Sequence, residues 1–482
     1  MPQLQETKVK RGEQIVVHIE HMAFGGKGIA RLHTPQGDLV AFVPNTIPGQ
    51  KVRARVIKVR KKHLETKLLE ILDRSPEEQD IPYQPIPGAP YARLPIQLQE
   101  KYKQHTGIDL MQRIGRVQDA EARFDSFISS PTHWHYRNKM EYAFAAIRYD
   151  LHSGKELDDF ALGFKHPGTW WMVENLDADS GLFDAELENN LHRIRTFCES
   201  TGLPAWHAPR REGFFRYLAV RKSYVHDQLL FDLVTTSAAL ERFDMDAFVS
   251  LLQSLFGKRM AGIIHTINDD TGDRVQPLSG NSRCVYGRDH ITEVLHGISF
   301  DISMESFFQT NPGSAELLYS KGLAYLHEAA PEGGTFLDLF CGTGTIAQLM
   351  ARAFPTAEVL GVDIEERAIA DAHKAASGLD NVRFYAADVG KFLQQHPEYR
   401  GKIDAIMLDP PRAGIAPKAL ARTIDLGAPC IVYISCNPAT LARDTEALQQ
   451  SDYELRKFSL VDQFPHTAHV EAVSLFVKKD KA

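Results

Sequence analysis

Three loops in the last third of the chain carry residues able to do covalent chemistry. CIVYISCNPATLARD (430–444) puts Cys436 just past an apolar run and just before a helix start. Free amides at a helix start favour negative charge, so this position predicts a thiol of lowered pKa that can act as a nucleophile. A solitary cysteine is more often a small buried hydrophobe, and Cys341 and Cys430 read that way. Cys436 gains weight from its neighbours. CGTGT (341–345) follows TFLDLF and enters a helix, and Gly342 and Gly344 permit a sharp turn and close approach by a ligand. Nineteen residues past Gly344, Asp363 ends VLGVD, where a carboxylate can accept hydrogen bonds from two ribose hydroxyls. DPPRAG (409–414) follows IDAIMLD, with Asp409 at the strand's carboxyl end and two prolines stiffening the exit.

The glycine turn narrows the ligand. A dinucleotide fingerprint needs a third glycine, which this loop lacks. D-x-F-C-G-x-G is instead the form used for S-adenosylmethionine, which has no pyrophosphate to cradle. Asp388, after VRFYAA, is then placed to reach an adenine. Amino-methyltransferases place an aromatic residue after the paired prolines. Arg412 stands there here and argues against methylation of an exocyclic amine.

These loops need a scaffold that brings strand ends together. TFLDLF, EVLGVDI, VRFYAAD, IDAIMLD and CIVYIS are nearly continuous apolar runs alternating with helix-like stretches. That pattern predicts a doubly wound, Rossmann-like α/β domain over 301–482, with a parallel sheet and a ligand outside the carboxyl strand ends. Residues 1–75 read as short alternating strands and predict an OB-like β-barrel. In KVRARVIKVRK, Val52, Ala54, Val56 and Val59 are expected to face its core. Proline-rich 73–92 reads as irregular, and 94–115 has helical spacing through Leu94, Leu98, Leu110, Met111 and Ile114. Mixed patterns up to residue 300 predict a central α+β domain over 76–300, whose helix near 94–115 is a candidate to pack on the catalytic domain.

Charge supports a nucleic-acid partner. The chain of 482 residues has a net charge of -7, yet residues 1–70 carry 13 Lys+Arg against 6 Asp+Glu. Seven basic residues fall within 51–62. A basic appendage on an acidic body is one footprint of a nucleic-acid protein; a solvated edge strand is the plain alternative. The five cysteines show no C-x-x-C spacing, which sets aside a disulfide scaffold and a local zinc site. No apolar run is long enough to span a bilayer, and no signal peptide is legible, so a cytoplasmic chain with no membrane partner is expected.

Taken together, DLFCGTGT, DPPRAG, ISCNPATLARD and DQFPHTAHVEAVSLF (462–476) resemble the RNA (uracil-5-)methyltransferase family. SFFQTNP (306–312) is similar to its F-x-Q-x-N stretch, and YRNKMEYAF (136–144) to its Y-R-N-K segment. Residues 8–73 resemble a TRAM domain, an RNA-binding barrel. The resemblance implies methyl transfer from S-adenosylmethionine to C5 of a uridine, with Cys436 as nucleophile and Glu471 as the base that removes the C5 proton. It carries cofactor contacts onto Gln309, Phe340, Gly342, Gly344, Thr345, Asp363, Asp388 and Asp409. Several members have Glu in place of Asp363 and Asn in place of Thr345. RNA contacts are expected at Lys58, Arg60, Lys61, Lys62 and Arg137, in a monomer acting on ribosomal RNA in preference to transfer RNA.

One departure concerns metal. Many members hold an iron–sulfur cluster through a C-x5-C-G-G-C run and a later cysteine. In PYQPIPGAPYARLPIQLQEK (82–101) the cysteines are absent. Ala89 stands where one is expected, and Ala178 replaces the distant one. Without thiolates no cluster is expected, and His466 and His469 lack a third ligand for zinc. The rival readings are a methyltransferase acting at cytosine C5 and a non-catalytic RNA-binding protein that retains the fold.

Overall fold

The computed structural model describes residues 9–34, 37–278 and 281–479. The expected domains 1–75 and 301–482 therefore include residues 1–8, 35–36 and 480–482 that lie outside the described ones. The chain forms two compact units. One comprises residues up to Asp80, Pro90–Pro131 and Ser314 onward, and the other Ile81–Ala89 with Thr132–Gly313. The stretch expected as one central domain is thus shared between them: 90–131 folds with the N- and C-terminal parts.

In the first unit, six N-terminal strands pair in the order Gln14–His18, Lys51–Val59, His63–Asp73, Gly37–Pro44, Lys27–Thr34, His21–Ala23. Val17, Ala30, Ala41, Val43, Val52, Ala54 and Leu64 fill its core. Among the described residues no ladder joins the two edge strands. Val59 departs from the expected inward set and is 38% exposed. It is the last residue of its strand and pairs with the core residue Leu64, so its exposure comes from its place at the strand end and not from a change of face.

The catalytic-type sheet has eight strands. Val382–Ala386, Glu358–Asp363, Thr335–Leu339, Ala405–Leu408 and Cys430–Ser435 run parallel in that order. Their buried, uninterrupted apolar sequences suit a sheet covered on both faces. Further strands extend this parallel part of the sheet. Glu471–Lys478 pairs antiparallel with Cys430–Ser435 and with Tyr453–Val461, and Phe124–Ile128 closes the far edge beside Tyr453–Val461. A short connection at residues 462–470 cannot make the long crossover that parallel neighbours require, so the last strand turns back.

Helix Ile96–Arg113 lies in the same unit, packed against helix Pro438–Gln450. Its buried face is Gln99, Lys103, Gly107, Leu110 and Met111, not the apolar set expected. Leu94 precedes the helix, and Ile114 is 40% exposed.

The second unit is a seven-stranded sheet in the order Val173–Asn175, Lys155–Lys165, Lys139–Asp150, Phe215–Ser223, Gln228–Thr235, Met260–Ile267, Asn281–Gly287. It is mainly antiparallel. Gln228–Thr235 and Met260–Ile267 pair parallel, with helix Met245–Phe256 in the crossover between them.

Candidate active site

Adjacent strands deliver the site residues to one end of the eight-stranded sheet. Ser435 pairs with Ala472 at the end of their antiparallel ladder, so the next positions outward are Cys436 and Glu471. Leu408 pairs with Tyr433 and with Leu339, which puts Asp409 one strand over from Cys436 and beside the start of the glycine loop. Leu339 pairs with Val362, so Asp363 follows on the far side of that loop. Asp388 lies beyond the next strand end.

The loop is shaped for a ligand. Phe340, Gly342 and Gly344 all have positive φ, of 68°, 54° and 75°. A Cβ on Gly342 would meet nothing within 4 Å, which leaves open space over the backbone there. Gly344 is different: a Cβ there would stand 2.5 Å from the Phe384 ring. Thr345 opens helix Thr345–Ala353 directly after it. Asp363 is held by two backbone amides, accepting from Gly342 N at 2.9 Å and from Glu365 N at 3.0 Å. A carboxylate has about four acceptor positions, so two remain for hydroxyl donors. Asp388 is exposed and caps helix Val389–Gln395 by accepting from Lys391 N at 2.9 Å.

One residue was missed in the sequence. Asp338, inside the strand Thr335–Leu339, is fully buried, and neither carboxylate oxygen makes a hydrogen bond. Burial, with Asp409 and then Asp363 adding repulsion, raises its pKa well above the usual range. An acid in an otherwise apolar strand core was the available signal. Three carboxyl groups near a glycine turn with open space over Gly342 suit a ligand that brings positive charge. A cationic sulfonium nucleoside supplies it, so these residues fit S-adenosylmethionine.

Cys436 overturns the expectation of a lowered pKa. Its thiol is pushed up to about 12, first by burial and then by Glu471 and Asp409, with Arg412 pulling the other way. Burial, with the two carboxyl groups behind it, decides the direction. Glu471 is buried, and desolvation together with Asp409 raises it to about 8, again against Arg412. Burial alone lifts Asp409 to about 7. Arg412 is therefore the cation that acts on both Cys436 and Glu471. Its guanidinium lies 3.0 Å from His469 Nδ1, and its backbone carbonyl accepts from Asn437 Nδ2 at 3.0 Å. Such a site can offer a thiol and a carboxylate to one substrate atom pair while keeping both neutral at rest.

The structure keeps other expected residues apart from this description. Gln309 and Arg137 belong to the second unit. There, Asn138 Nδ2 donates to Gln309 O at 2.9 Å, and Arg137 Nε lies 3.4 Å from Lys139 O. Lys58, Arg60, Lys61 and Lys62 are exposed on the N-terminal sheet, Lys58 and Arg60 facing Glu65 at 3.8 and 3.9 Å. Ala89 is buried, and the amide of Ala178 donates to Gln84 Oε1 at 3.0 Å. Among the described residues there is no group of three potential metal ligands.

Comparison with known proteins agrees with this geometry. The family model described as tRNA (uracil-5-)-methyltransferase matches residues 277–479, and the TRAM domain model matches 8–69. An uncharacterized RNA methyltransferase of Clostridium tetani is 35% identical, with 98% of this chain and 99% of the relative covered. The chain belongs to the RNA (uracil-5-)methyltransferase family. A second relative, an uncharacterized RNA methyltransferase of Caldanaerobacter subterraneus, is also 35% identical, over 97% of this chain and 99% of its own. The crystal structure of Pyrococcus abyssi tRNA (uracil-54, C5)-methyltransferase in complex with S-adenosyl-L-homocysteine has the same fold, with a TM-score of 0.69 at 24% identity. It covers 96% of this chain and 100% of its own. The chain is a methyltransferase that uses S-adenosylmethionine and acts on RNA. No helix among the described residues is long and apolar enough to cross a membrane.

Proposed function

We propose that the enzyme methylates C5 of a uridine in structured RNA through a covalent adduct on Cys436. The observation that supports this most is the ladder register that sets Cys436 against Glu471, with Asp409 one strand away. C5 of uracil is a weak nucleophile. The Cys436 thiol gives its proton to solvent and its sulfur adds to C6, so that the C5–C6 electrons move onto C5 and O4. Arg412 favours the thiolate. S-adenosylmethionine, when bound, supplies an electrophilic methyl group to C5. Asp363 and the loop Phe340–Thr345 orient its nucleoside, with Asp388 as a further contact. Glu471, once it has given its own resting proton to solvent, takes the C5 proton, the double bond re-forms, and Cys436 leaves C6 as thiolate.

The exposed cations Lys58, Arg60, Lys61 and Lys62, with Arg137, hold the RNA backbone. The N-terminal TRAM domain is the reason to test ribosomal RNA first. Transfer RNA is the second reading, supported by the full-length likeness to a structure named for uracil-54 of tRNA. Mapping 5-methyluridine in total RNA from cells with and without the gene tests both. One site lost from ribosomal RNA is expected; loss from transfer RNA alone moves the target, and no loss from either contradicts the proposal.

A further inference from the structure

The helix Ile96–Arg113 buries polar side chains where an amphipathic helix would bury apolar ones. Gln99, Lys103 and Gly107 recur every four residues, and so lie on one face. Each touches the segment that leads from Tyr453–Val461 into the strand headed by Glu471. Gly107 has no side chain to hold off Leu460, whose Cδ1 lies 2.5 Å from where a Cβ would stand. Lys103, buried, donates to Asp462 Oδ1 at 2.6 Å and to Phe464 O at 3.0 Å. Gln99, fully buried, accepts from His466 N at 2.8 Å and lies 3.1 Å from His466 Nδ1. The same amide donates to Tyr91 O and Leu94 O at 3.0 and 2.8 Å, while Tyr91 N donates to His466 O at 3.0 Å. His466 itself sits at φ 67°, a conformation that a non-glycine residue keeps only when its surroundings impose it.

Two hydrogen-bond sets therefore pin a short connection, one at Asp462–Phe464 and one at His466. The connection has one purpose that the fold makes visible: it sets where the strand Glu471–Lys478 begins. Val461 pairs with Glu471, so Asp462 is the first residue beyond the ladder that contains Glu471. A buried lysine is an expensive way to hold a loop, because desolvation pushes its ammonium towards the neutral form and Asp462 must offset that. An apolar contact would serve stability as well, but it would not fix direction. Hydrogen bonds do.

We propose that Gln99 and Lys103 are positioning residues for Glu471, holding the connection 462–470 so that its carboxylate meets the C5 proton of the methylated base. The proposal rests on the reading of Glu471 as the base and of Cys436 as the nucleophile. It concerns only the resolution step: proton leaves C5, the C5–C6 double bond re-forms, and sulfur leaves C6. Neither residue touches the glycine loop or Cys436, so the earlier addition and methyl transfer are spared.

The test uses the full-length enzyme, S-adenosylmethionine labelled in its methyl group, and total RNA from cells lacking the gene. Gln99→Leu removes the hydrogen bonds at similar size, and Lys103→Met removes the charge at similar length. Each should slow decay of the labelled protein–RNA adduct by about ten- to a hundred-fold, as expected for a misplaced reacting group. Adduct should accumulate on denaturing gels, kcat should fall, and the KM for S-adenosylmethionine should stay near that of the parent. Lys103→Met combined with Asp462→Leu removes both buried charges together, which keeps the variant folded where the single change does not. It too should resolve the adduct slowly. Uniform loss of adduct formation and resolution, in proportion to folded protein, would overturn the proposal by making the contacts purely structural. So would resolution at the parental rate in the well-folded double variant. An adduct that survives Cys436→Ala would instead sink the underlying mechanism, and that outcome is separate.

Discussion

At the scale of single residues, burial raises the pKa of both groups proposed to react, Cys436 and Glu471. The Cys436 thiol is raised to about 12, so alkylation by iodoacetamide at pH 7.5 should be slower than that of an ordinary free thiol. Reaction faster than glutathione at that pH would mean that Arg412 outweighs burial. Glu471 gives a second prediction. Its folded pKa of about 8 lies above the ordinary glutamate value of 4.5, so its contribution to stability is full below about 4.5 and is lost as pH rises through about 8. Glu471→Gln should therefore raise Tm at pH 8 while stalling the enzyme as a covalent RNA adduct. Wild-type turnover by this variant would remove Glu471 from the site. Asp338 behaves alike, being buried with no partner beside two other carboxyl groups. Asp338→Asn should leave the free protein at least as stable, because a buried carboxyl beside two others is replaced by a neutral amide. A Tm several degrees below wild type would contradict that.

At the scale of elements, the glycine loop shows how a turn is fixed by what lies behind it. Gly344→Ala should destabilise the protein by about 1–3 kcal/mol, because the left-handed backbone and the Phe384 ring both exclude a Cβ. A Tm within a degree of wild type would contradict that packing. This loop, its strand and the ends at Asp363, Asp409 and Cys436 were legible in the sequence, since continuous apolar runs followed by glycine, proline or acid mark strand ends in a buried sheet. The antiparallel turn of Glu471–Lys478 was not, because direction depends on connection length and partner choice, which composition does not record. The buried face of Ile96–Arg113 was hidden for another reason. Gln99 and Lys103 look like solvent residues until Asp462 and His466 are brought against them. Val59 was misplaced because it ends its strand, and the pKa of Cys436 first by burial and then by carboxyl groups far off in sequence.

At the scale of the whole molecule, the acidic catalytic part needs a basic partner surface to hold a polyanion. Replacing Lys58, Arg60, Lys61 and Lys62 by neutral residues should raise the KM for folded RNA and flatten its salt dependence by about 0.7–0.9 per lost phosphate contact. The turnover number at saturating RNA should stay near wild type, because the target base still enters the same pocket. An unchanged KM with an unchanged salt slope would make the stretch a solvated edge. The purified protein should also be free of iron when prepared without oxygen, since Ala89 and Ala178 offer no thiolate; stoichiometric iron would show that other residues hold a cluster. The account as a whole stands on a bond between this chain and its RNA. The most direct measurement is mass spectrometry of the complex formed with 5-fluorouridine-containing RNA and S-adenosylmethionine. Fluorine at C5 cannot leave as a proton does, so Glu471 has nothing to remove and the adduct must persist. The account predicts a nucleotide attached to the peptide containing Cys436, together with a transferred methyl group. Attachment at another residue, or methylated RNA with no covalent protein, would contradict it.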